Sequence, residues 1–228
     1  MSIYKNKMKI IDLTQMLDEH TPHWNCDCGF KLTSTFDEVS CVQFIDAPAG
    51  IGTHMDAPYH FFSDNISIDQ INVENFLGPA CVIDVHHKAH DEYLISKQDI
   101  LDFENKHGMI EPNTIILAFT GWDKHWGEPD KYRAEKSEQQ RAFPGFSTES
   151  IDYLLTKDIK GIGIDTLSPD GSNIGFPVHK KVLSRGIYIL ENLCNLDKLP
   201  AKVQELISLP LKIKNGAEAP CRVIAKIK

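Results

Sequence analysis

Short apolar runs recur along the chain, several of them rich in valine and isoleucine and bounded by glycine or proline. Runs of this length and composition are typical of strands in a largely buried sheet. They predict strands at Ile10–Leu13, Cys41–Ile45, Ala80–Val85, Thr114–Phe119, Gly161–Ile164, Ile187–Leu190, Glu205–Lys212 and Arg222–Ile227. The pattern therefore indicates a chain whose core is built mainly from strands.

Helical patterns are fewer and predict helices at Ser96–His107, Ser147–Thr156 and Phe176–Ser184. The first two begin at serine, a favoured N-cap, and the third has a proline near its first turn. Because predicted strands outnumber predicted helices by more than two to one, we expect a mixed α/β fold. No repeat or linker divides the chain, so we predict a single domain spanning residues 1–228.

The least regular stretch is 122–146, which is rich in charged residues, proline and glycine. Both of its flanks have the pattern of core elements, and a long irregular segment inside a domain is usually functional. We therefore interpret it as a lid or an assembly loop and not as a linker between domains.

The charge balance argues against nucleic acid and anionic membranes as partners. The chain has 24 Lys and Arg against 32 Asp and Glu, a formal charge of −8, and no element concentrates the basic residues. A phosphate-binding surface needs clustered cations. We therefore expect no nucleic-acid or membrane partner.

The expected location is the cytoplasm. No apolar run approaches the roughly 18 residues that span a bilayer, and no apolar segment of signal-peptide length follows the basic N-terminus. Six cysteines are too few and too widely spread for a disulfide framework in a chain of 228 residues. Cys26 and Cys28 also lack the C-x-x-C spacing of a zinc or redox motif.

Ten histidines stand out in the composition, and part of this set is organised. His54 and Asp56 are two residues apart, so on an extended chain both side chains leave the same face. Imidazole with carboxylate suits Zn²⁺ or Mn²⁺. Pro58 fixes the chain direction so that His60 can turn back over the same site. For the His-x-Asp pair alone, a chance arrangement on a polar loop remains the alternative.

A second group of candidates lies in the C-terminal half. His179 follows a proline, and Glu191 ends an apolar run that otherwise has the pattern of a buried strand. A carboxylate in that position either caps a turn or is held at the sheet edge as a ligand or base. The local pattern leaves both interpretations open.

The stretch 52–61, with the sequence GTHMDAPYHF, resembles the HxGTHxDxPxH signature of the metal-dependent cyclase hydrolases, whose members include bacterial kynurenine formamidases and isatin hydrolases. Further segments similar to this family follow in family order: Gly78–Ala80, Thr120–Trp122, Gly163–Asp170, Pro177–His179, Leu190–Leu193 and Leu209–Lys212. The resemblance extends from residue 10 to residue 227, so a chance match to one motif does not explain it.

The resemblance implies a swivelling β/β/α-type fold, a divalent metal and hydrolysis of a C–N amide bond in a small, aromatic molecule such as N-formylkynurenine or isatin. By position in the motifs, His54, Asp56, His179 and Glu191 match metal ligands. His60 matches the general acid or base. These roles agree with the residue chemistry, because a metal-activated water and a nearby imidazole together suit amide hydrolysis.

One position departs from the family signature, which opens with a histidine where this chain has Gly50. In members that use two metals, this histidine is expected to complete one site. We therefore predict one ion, Zn²⁺ in preference to Mn²⁺, or a second site of much weaker affinity. Loss of activity is a further alternative.

Specificity is expected to come from the loops around residues 23–30, 61–68 and 122–146. His23 and Trp24 lie in a segment that resembles one near the pocket mouth of relatives, and Trp122 and Trp126 are candidates for stacking on the substrate. For Trp122, core packing is the alternative. Relatives form dimers or tetramers, so the resemblance implies a homodimer or homotetramer.

Two other functions stay open at this stage. A metal-dependent cyclase or dehydratase acting on a hydroxylated small molecule would use the same ions and residues. A non-catalytic, metal-bound protein that binds small molecules is suggested by Gly50. His60 separates hydrolysis from the non-catalytic alternative, because a structural metal site does not need a base.

Overall fold

Strands predominate in residues 8–25, 29–137 and 140–228, the parts of the chain that the computed structural model describes. The strands are β1 (Lys9–Asp12), β2 (Lys31–Phe36), β3 (Cys41–Asp46), β4 (His54–Asp56), β5 (Leu77–Asp84), β6 (Leu94–Ile95), β7 (Ile115–Phe119), β8 (Glu135–Ser137), β9 (Gln140–Arg141), β10 (Gly145–Phe146), β11 (Gly161–Ile164), β12 (Tyr188–Glu191), β13 (Lys202–Pro210) and β14 (Glu218–Ile227). The α-helices are α1 (Lys97–His107), α2 (Pro129–Arg133), α3 (Thr148–Leu155) and α4 (Pro177–Leu183). Short 3₁₀ helices lie at Pro58–His60, Ile68–Gln70, Val73–Phe76, Trp122–His125 and Leu196–Lys198. The predicted mixed α/β fold, with more strands than helices, is confirmed.

Eight strands form one sheet in the order β1, β14, β13, β5, β7, β11, β12, β4, and β4 pairs in addition with β14. This extra pairing closes β14, β13, β5, β7, β11, β12 and β4 into a ring. The strands β5, β7, β11 and β12 run parallel, whereas β4 and β13 are antiparallel to their neighbours. The short strand β4 therefore lies between β12 and β14.

The central parallel strands are buried on both faces. On β7, Ile115 and Leu117 belong to one apolar cluster, and Ile116 and Ala118 belong to a second cluster that includes residues of α1, α3 and α4. Parallel strands covered on both sides carry continuous apolar runs without polar alternation. This burial explains why the apolar runs in the sequence predicted these strands.

Helix boundaries agree with the predicted capping residues. Ser96 Oγ accepts a hydrogen bond from the Asp99 backbone N–H, and the Asp99 carboxylate accepts one from the Ser96 N–H. Ser147 Oγ accepts from the Ser150 N–H in the same way at the start of α3. Gly108, with φ of 84°, ends α1. All three predicted helices are confirmed within one or two residues at each end.

A two-stranded hairpin departs from the sequence interpretation. The predicted strand over 41–45 forms as β3, but it pairs with β2 and all twelve residues of the hairpin are exposed. The predicted strand is therefore present, but it lies outside the main sheet. The strand β2 has only two apolar residues, Leu32 and Phe36, so no strand was predicted there, and β3 pairs with β2 and not with the main sheet.

The segment 122–146 is more ordered than its composition predicted. It contains α2 and three short strands, and Tyr132 and Phe143 within it are fully buried against Leu167. Aromatic residues spaced among charged ones therefore anchor this stretch to the body of the protein. Its role as a lid or assembly loop stays a prediction.

Helix length and cysteine pairing in residues 8–25, 29–137 and 140–228 bear on the membrane and disulfide predictions. None of the helices there has the length and apolarity needed to cross a bilayer. Cys41, Cys81, Cys194 and Cys221 form no disulfide in this part of the chain. Cys26 and Cys28 lie outside the described residues, as do residues 1–7, so the predicted extent of the domain stays a prediction.

Candidate metal centre

Three adjacent strands bring ionisable side chains to one face of the sheet. On β4, His54 and Asp56 are two residues apart and so project to the same side. The strand register places Glu191 of β12 opposite His54, and Glu218 of β14 opposite Asp56. His179 reaches the same point from the first turn of α4. Pairing on both sides of β4 therefore assembles a cluster from distant parts of the chain.

The cluster is compact and buried. His54 Nε2 lies 3.4 Å from Asp56 Oδ1 and 3.3 Å from Glu191 Oε2. His179 Nε2 lies 3.2 Å from Asp56 Oδ2 and 3.2 Å from Glu191 Oε1. None of the four residues is more than 5% exposed. Two imidazoles and two carboxylates thus alternate around a common centre.

Each imidazole is oriented by its other ring nitrogen. The Nδ1–H of His54 donates to the Gly52 carbonyl at 2.9 Å, and the Nδ1–H of His179 donates to Asp170 Oδ2 at 2.5 Å. Asp170 also accepts from the backbone N–H groups of Val178 and His179 at the start of α4. Such partners fix the tautomer, so both rings present Nε2 to the centre.

The electrostatics of the cluster favour positive charge. Burial by itself would lower the pKa of His54 and of His179, but the adjoining carboxylates of Asp56 and Glu191 and, for His179, first that of Asp170 raise both pKa values well above 6.5. Burial opposes ionisation of Asp56, yet the two imidazoles hold the pKa of its carboxyl below the usual range. A divalent cation would supply the positive charge that these protons otherwise provide.

The residues fit a divalent metal ion. Asp56 Oδ1 and Glu191 Oε1 are buried and, within the described structure, have no hydrogen-bond partner. Unpartnered buried carboxylate oxygens are costly, and coordination to a cation would satisfy them. Two nitrogen and several oxygen donors form a set suited to Zn²⁺, Mn²⁺ or Fe²⁺. The four sequence-predicted ligands are therefore brought together.

His60 lies at the edge of this centre. It ends the 3₁₀ helix Pro58–His60, and its side chain is 30% exposed. Its Nδ1 is 3.8 Å from Glu218 Oε2, and its ring centroid is 6.0 Å from that of His179. This position suits proton transfer at the mouth of the site, as predicted from the sequence, and the role itself stays a prediction.

A cavity of about 480 Å³ opens over the cluster, a size within the range of small-molecule sites. Besides the ionisable residues, it is lined by His23, Trp24, Phe61, Leu167 and Phe176. The Phe176 ring centroid lies 5.6 Å from those of both Trp24 and Phe61. Aromatic walls over a polar floor suit a small, flat molecule with one polar group directed at the centre.

Comparison with known proteins places this arrangement in a family. The Cyclase model, described as "Putative cyclase", matches residues 11–171. The chain belongs to the Cyclase family. It is 28% identical to the isatin hydrolase of Roseibium aggregatum, over 99% of this chain and 94% of that protein. It is 29% identical to the kynurenine formamidase of Erythrobacter litoralis, over 99% of this chain and 97% of that protein.

Solved structures agree with the sequence relatives. A crystal structure of an isatin hydrolase bound to the product analogue thioisatinate superposes with a TM-score of 0.88 at 29% identity, covering 96% of this chain and 92% of that one. A potential metal-dependent hydrolase with cyclase activity superposes with a TM-score of 0.78 at 26% identity, covering 97% of this chain and 99% of that one. The predicted membership of the cyclase-family hydrolases is confirmed.

Two of the predicted substrate residues are not at the cavity of this Cyclase family protein. Trp122 is buried, and its Nε1–H donates to the Tyr132 carbonyl at 2.9 Å. Trp126 packs edge-on against Tyr132, with centroids 5.0 Å apart. Neither indole lines the cavity, whereas His23 and Trp24 do. Core packing, the alternative stated for Trp122, describes its position.

A second possible ligand group lies away from this centre. Asp84, His86 and His87 have ligand atoms close together, but all three residues are exposed, and His86 Nδ1–H already donates to Asp84 Oδ1 at 2.6 Å. Groups of this kind are common on surface turns. We therefore assign no function to them.

Glu218 is the residue of the cluster that sequence reasoning missed. Its Oε1 lies 3.9 Å from His54 Nε2, and its side chain is 28% exposed toward the cavity. Burial, followed by the negative charge of Asp56, raises the pKa of its carboxyl. The motifs gave no signal for it, since only the pairing of β14 with β4 brings it to the centre.

Proposed function

We propose that this protein is a metal-dependent amidohydrolase that cleaves the C–N bond of an N-formyl or cyclic amide in a small aromatic molecule, such as N-formylkynurenine or isatin. The proposal rests on the buried His and carboxylate cluster beneath an aromatic cavity, in which two carboxylate oxygens have no hydrogen-bond partner within the described structure. The names of the isatin hydrolase and kynurenine formamidase relatives support the same reaction class.

His54, Asp56, His179 and Glu191 are the proposed metal ligands. A divalent ion held by them would act as a Lewis acid toward a carbonyl and lower the pKa of a water toward about 7. Zn²⁺ is the proposed ion and Mn²⁺ the alternative, since both accept this donor set. The Gly52 carbonyl and Asp170 keep the two imidazoles in the tautomer that ligation requires.

His60 is the proposed general acid and base. As water adds to the amide carbonyl, the imidazole accepts a proton from the water, and it then donates this proton to the departing nitrogen as the C–N bond breaks. Its partial exposure allows contact with a substrate in the cavity, and its Nδ1 lies 3.8 Å from Glu218 Oε2.

Trp24, Phe61 and Phe176 are the proposed contacts to the aromatic part of the substrate, with His23 at the rim. The Trp24 indole is held in place by Arg141, whose guanidinium carbon lies 4.0 Å from the ring centroid and whose Nη2–H donates to the Trp24 carbonyl at 2.5 Å. A ring fixed in this way loses little freedom when the substrate stacks on it.

The test combines metal content with turnover. Protein purified without chelator should contain Zn²⁺ or Mn²⁺ by elemental analysis and should hydrolyse N-formylkynurenine, isatin or another amide of a broad aromatic panel. His60→Ala should lower the rate about 10²- to 10⁴-fold with metal content unchanged. Bound metal without turnover on any amide would refute the hydrolase proposal and favour the cyclase, dehydratase or non-catalytic alternative. Loss of metal from the His60→Ala variant would instead make His60 a ligand.

We also propose a homodimer or homotetramer. The hairpin formed by β2 and β3 supports this, because it exposes large apolar residues including Phe36 (77%), Phe44 (65%) and Ile45 (70%). Apolar groups concentrated on an exposed element mark association surfaces. Light scattering after size exclusion would give the mass, and a monomer at micromolar concentration would refute the proposal. The cytoplasmic location and the absence of nucleic-acid and membrane partners stay predictions.

A further inference from the structure

The space beside Gly50 is filled by the carboxylate of Glu218. A Cβ atom built on Gly50 would lie 2.2 Å from Glu218 Oε1 and 3.0 Å from its Cδ, and 3.4 Å from His54 Nε2. Atoms in proteins do not approach so closely, so a side chain at position 50 and the present Glu218 conformation exclude each other. The Glu218 carboxylate thus stands where the side chain of residue 50 would begin. In the signature of the resembling family, that residue is histidine.

Glu218 completes a second set of ligand atoms. Oxygen and nitrogen atoms of His54, Asp56 and Glu218 lie within 4.8 Å of one another, and the same holds for Asp56, His179 and Glu191. Asp56 is common to both sets. Its Oδ2 is 3.2 Å from His179 Nε2, and its Oδ1 is 3.4 Å from His54 Nε2. The two oxygens of one carboxylate are therefore directed to the two sides of the cluster.

A further observation concerns the carboxylate oxygen of Asp56 on the His54 side of the cluster. Asp56 is 1% exposed, and its Oδ1, the oxygen nearest His54, has no hydrogen-bond partner within the described structure. This buried oxygen lies beside an imidazole nitrogen and has no hydrogen-bond donor among the described residues. A cation bound there would satisfy it. Hydrogen bonds within the cluster leave this oxygen unsatisfied.

We propose that Glu218 takes the place of the absent imidazole at position 50 as a metal ligand, so that His54, Asp56 and Glu218 form a second cation subsite next to that of Asp56, His179 and Glu191. This inference rests on the metal centre of the proposed function. Gly50 alone led us to expect one ion, whereas the position of Glu218 predicts two ions that share Asp56. Paired metals about 3.5–4 Å apart are known in other enzymes.

The exchange of imidazole for carboxylate has a chemical consequence. Glu218 adds a negative charge and an oxygen donor, and oxygen donors suit Mn²⁺ better than nitrogen donors do. The side chain is 28% exposed at the cavity, so this subsite is open to solvent on one side. We therefore expect Mn²⁺ to fill it and to exchange faster there than in the buried subsite.

The experiment measures metal stoichiometry with Mn²⁺ as the probe, independently of turnover. Metal-free protein is titrated by calorimetry, and the loaded protein is measured by elemental analysis and by electron paramagnetic resonance. The expected result is two Mn²⁺ per chain and a spectrum of two interacting ions. Glu218→Ala and the shape-conserving Glu218→Gln should weaken the second binding event at least about tenfold and give the spectrum of an isolated ion.

A compensating variant separates ligation from packing. In Gly50→His/Glu218→Ala, the space vacated by the carboxylate admits an imidazole, so the second binding event should return. Glu205→Ala, which removes a carboxylate of β13 that pairs with Lys226 far from the centre, should bind metal like the wild type. Circular dichroism and thermal melts establish that each variant is folded.

The outcomes distinguish the two proposals. One Mn²⁺ per chain in the wild type, or two in the folded Glu218→Ala variant, would overturn the role of Glu218, whether or not the protein hydrolyses amides. Two Mn²⁺ with loss of one in Glu218→Ala would support it, even if no amide were cleaved and the proposed function failed.

Discussion

Replacing Asp170 by asparagine should weaken metal binding about 10- to 100-fold without unfolding the protein. Asp170 is buried and touches no proposed metal position. It accepts hydrogen bonds from His179 Nδ1–H at 2.5 Å and from the Val178 backbone N–H at 2.6 Å. The carboxylate therefore both holds the imidazole and caps the first turn of α4.

The size of the effect follows from these contacts. An asparagine side chain has one acceptor and one donor end. If the asparagine oxygen accepts the hydrogen bond from the Val178 N–H, the asparagine NH₂ group faces His179 Nδ1. Nδ1 must then act as the acceptor, so the ring proton lies on Nε2, the atom that must be unprotonated to bind a metal. If the asparagine oxygen faces His179, the Val178 N–H is left buried and unpaired, at a cost of about 1–3 kcal/mol. The first arrangement agrees with a loss of about 1.4–2.8 kcal/mol in metal affinity, whereas the second lowers the stability of the folded protein.

The assay is competition for Zn²⁺ against a chromophoric chelator, with a thermal melt of the metal-free protein alongside. Asp152→Asn is the matched control, because Asp152 is an exposed carboxylate on α3 that pairs with Lys181 of α4. This control should leave the affinity unchanged. An affinity of Asp170→Asn within twofold of the wild type, in a folded protein, would refute the view that Asp170 sets the His179 tautomer.

Three further predictions follow from the same structure. Removing the metal with a chelator should lower the melting temperature, because an ion at about 100 times its Kd adds roughly 2.7 kcal/mol to the folded state. Trp24→Ala should raise KM for aromatic amides about tenfold with a smaller change in kcat, as expected when about 1.4 kcal/mol of stacking is lost. Asp99→Asn should lower the free energy of unfolding at pH 7 by about 1 kcal/mol, the usual value of an N-terminal cap interaction. Burial opposes ionisation of Asp99, but hydrogen bonds from Lys88, Ser96 and Tyr93 lower its pKa below 3.8. The ionised Asp99 carboxylate therefore stabilises the folded protein above that pH, and this stabilisation is lost as the pH falls through the folded-state pKa.

Each of these predictions has a specific check. A melting temperature unchanged by chelation would contradict metal binding at the cluster. Trp126→Ala is the control for Trp24, since Trp126 does not line the cavity, and equal KM changes in the two variants would contradict the assignment. Urea unfolding of Asp99→Asn at pH 7 and at pH 3 should show a difference from the wild type that shrinks on acidification. A constant difference would contradict a charged cap.

The main sheet was predictable from the sequence because its parallel strands are buried on both faces. Residues such as Ile116 and Leu117 pack on opposite sides of β7, so the strand is apolar throughout. The β2 strand was missed because neither of its faces is buried in the chain. The burial of Tyr132 was not predicted either, because a single aromatic residue within a charged segment gives no periodic pattern.

The metal centre was predictable only in part. Alternation on an extended strand placed His54 and Asp56 on one face, and the resemblance to a family supplied His179 and Glu191. Asp170 and Glu218 needed tertiary structure. The role of Asp170 depends on the cap geometry of α4, and that of Glu218 depends on which strand pairs with β4. Neither relation is local in the sequence.

The pairing of β4 has a consequence for the order of events during synthesis. Both sheet neighbours of β4 are strands from the last part of the chain, and β1 likewise pairs with β14. Until β12 emerges from the ribosome, His54 and Asp56 have neither of these neighbouring strands, and contacts between such distant segments form slowly. Metal loading is therefore expected only after β12 has been synthesised, and a nascent chain stalled before residue 218 would lack Glu218, the ligand proposed for the second subsite.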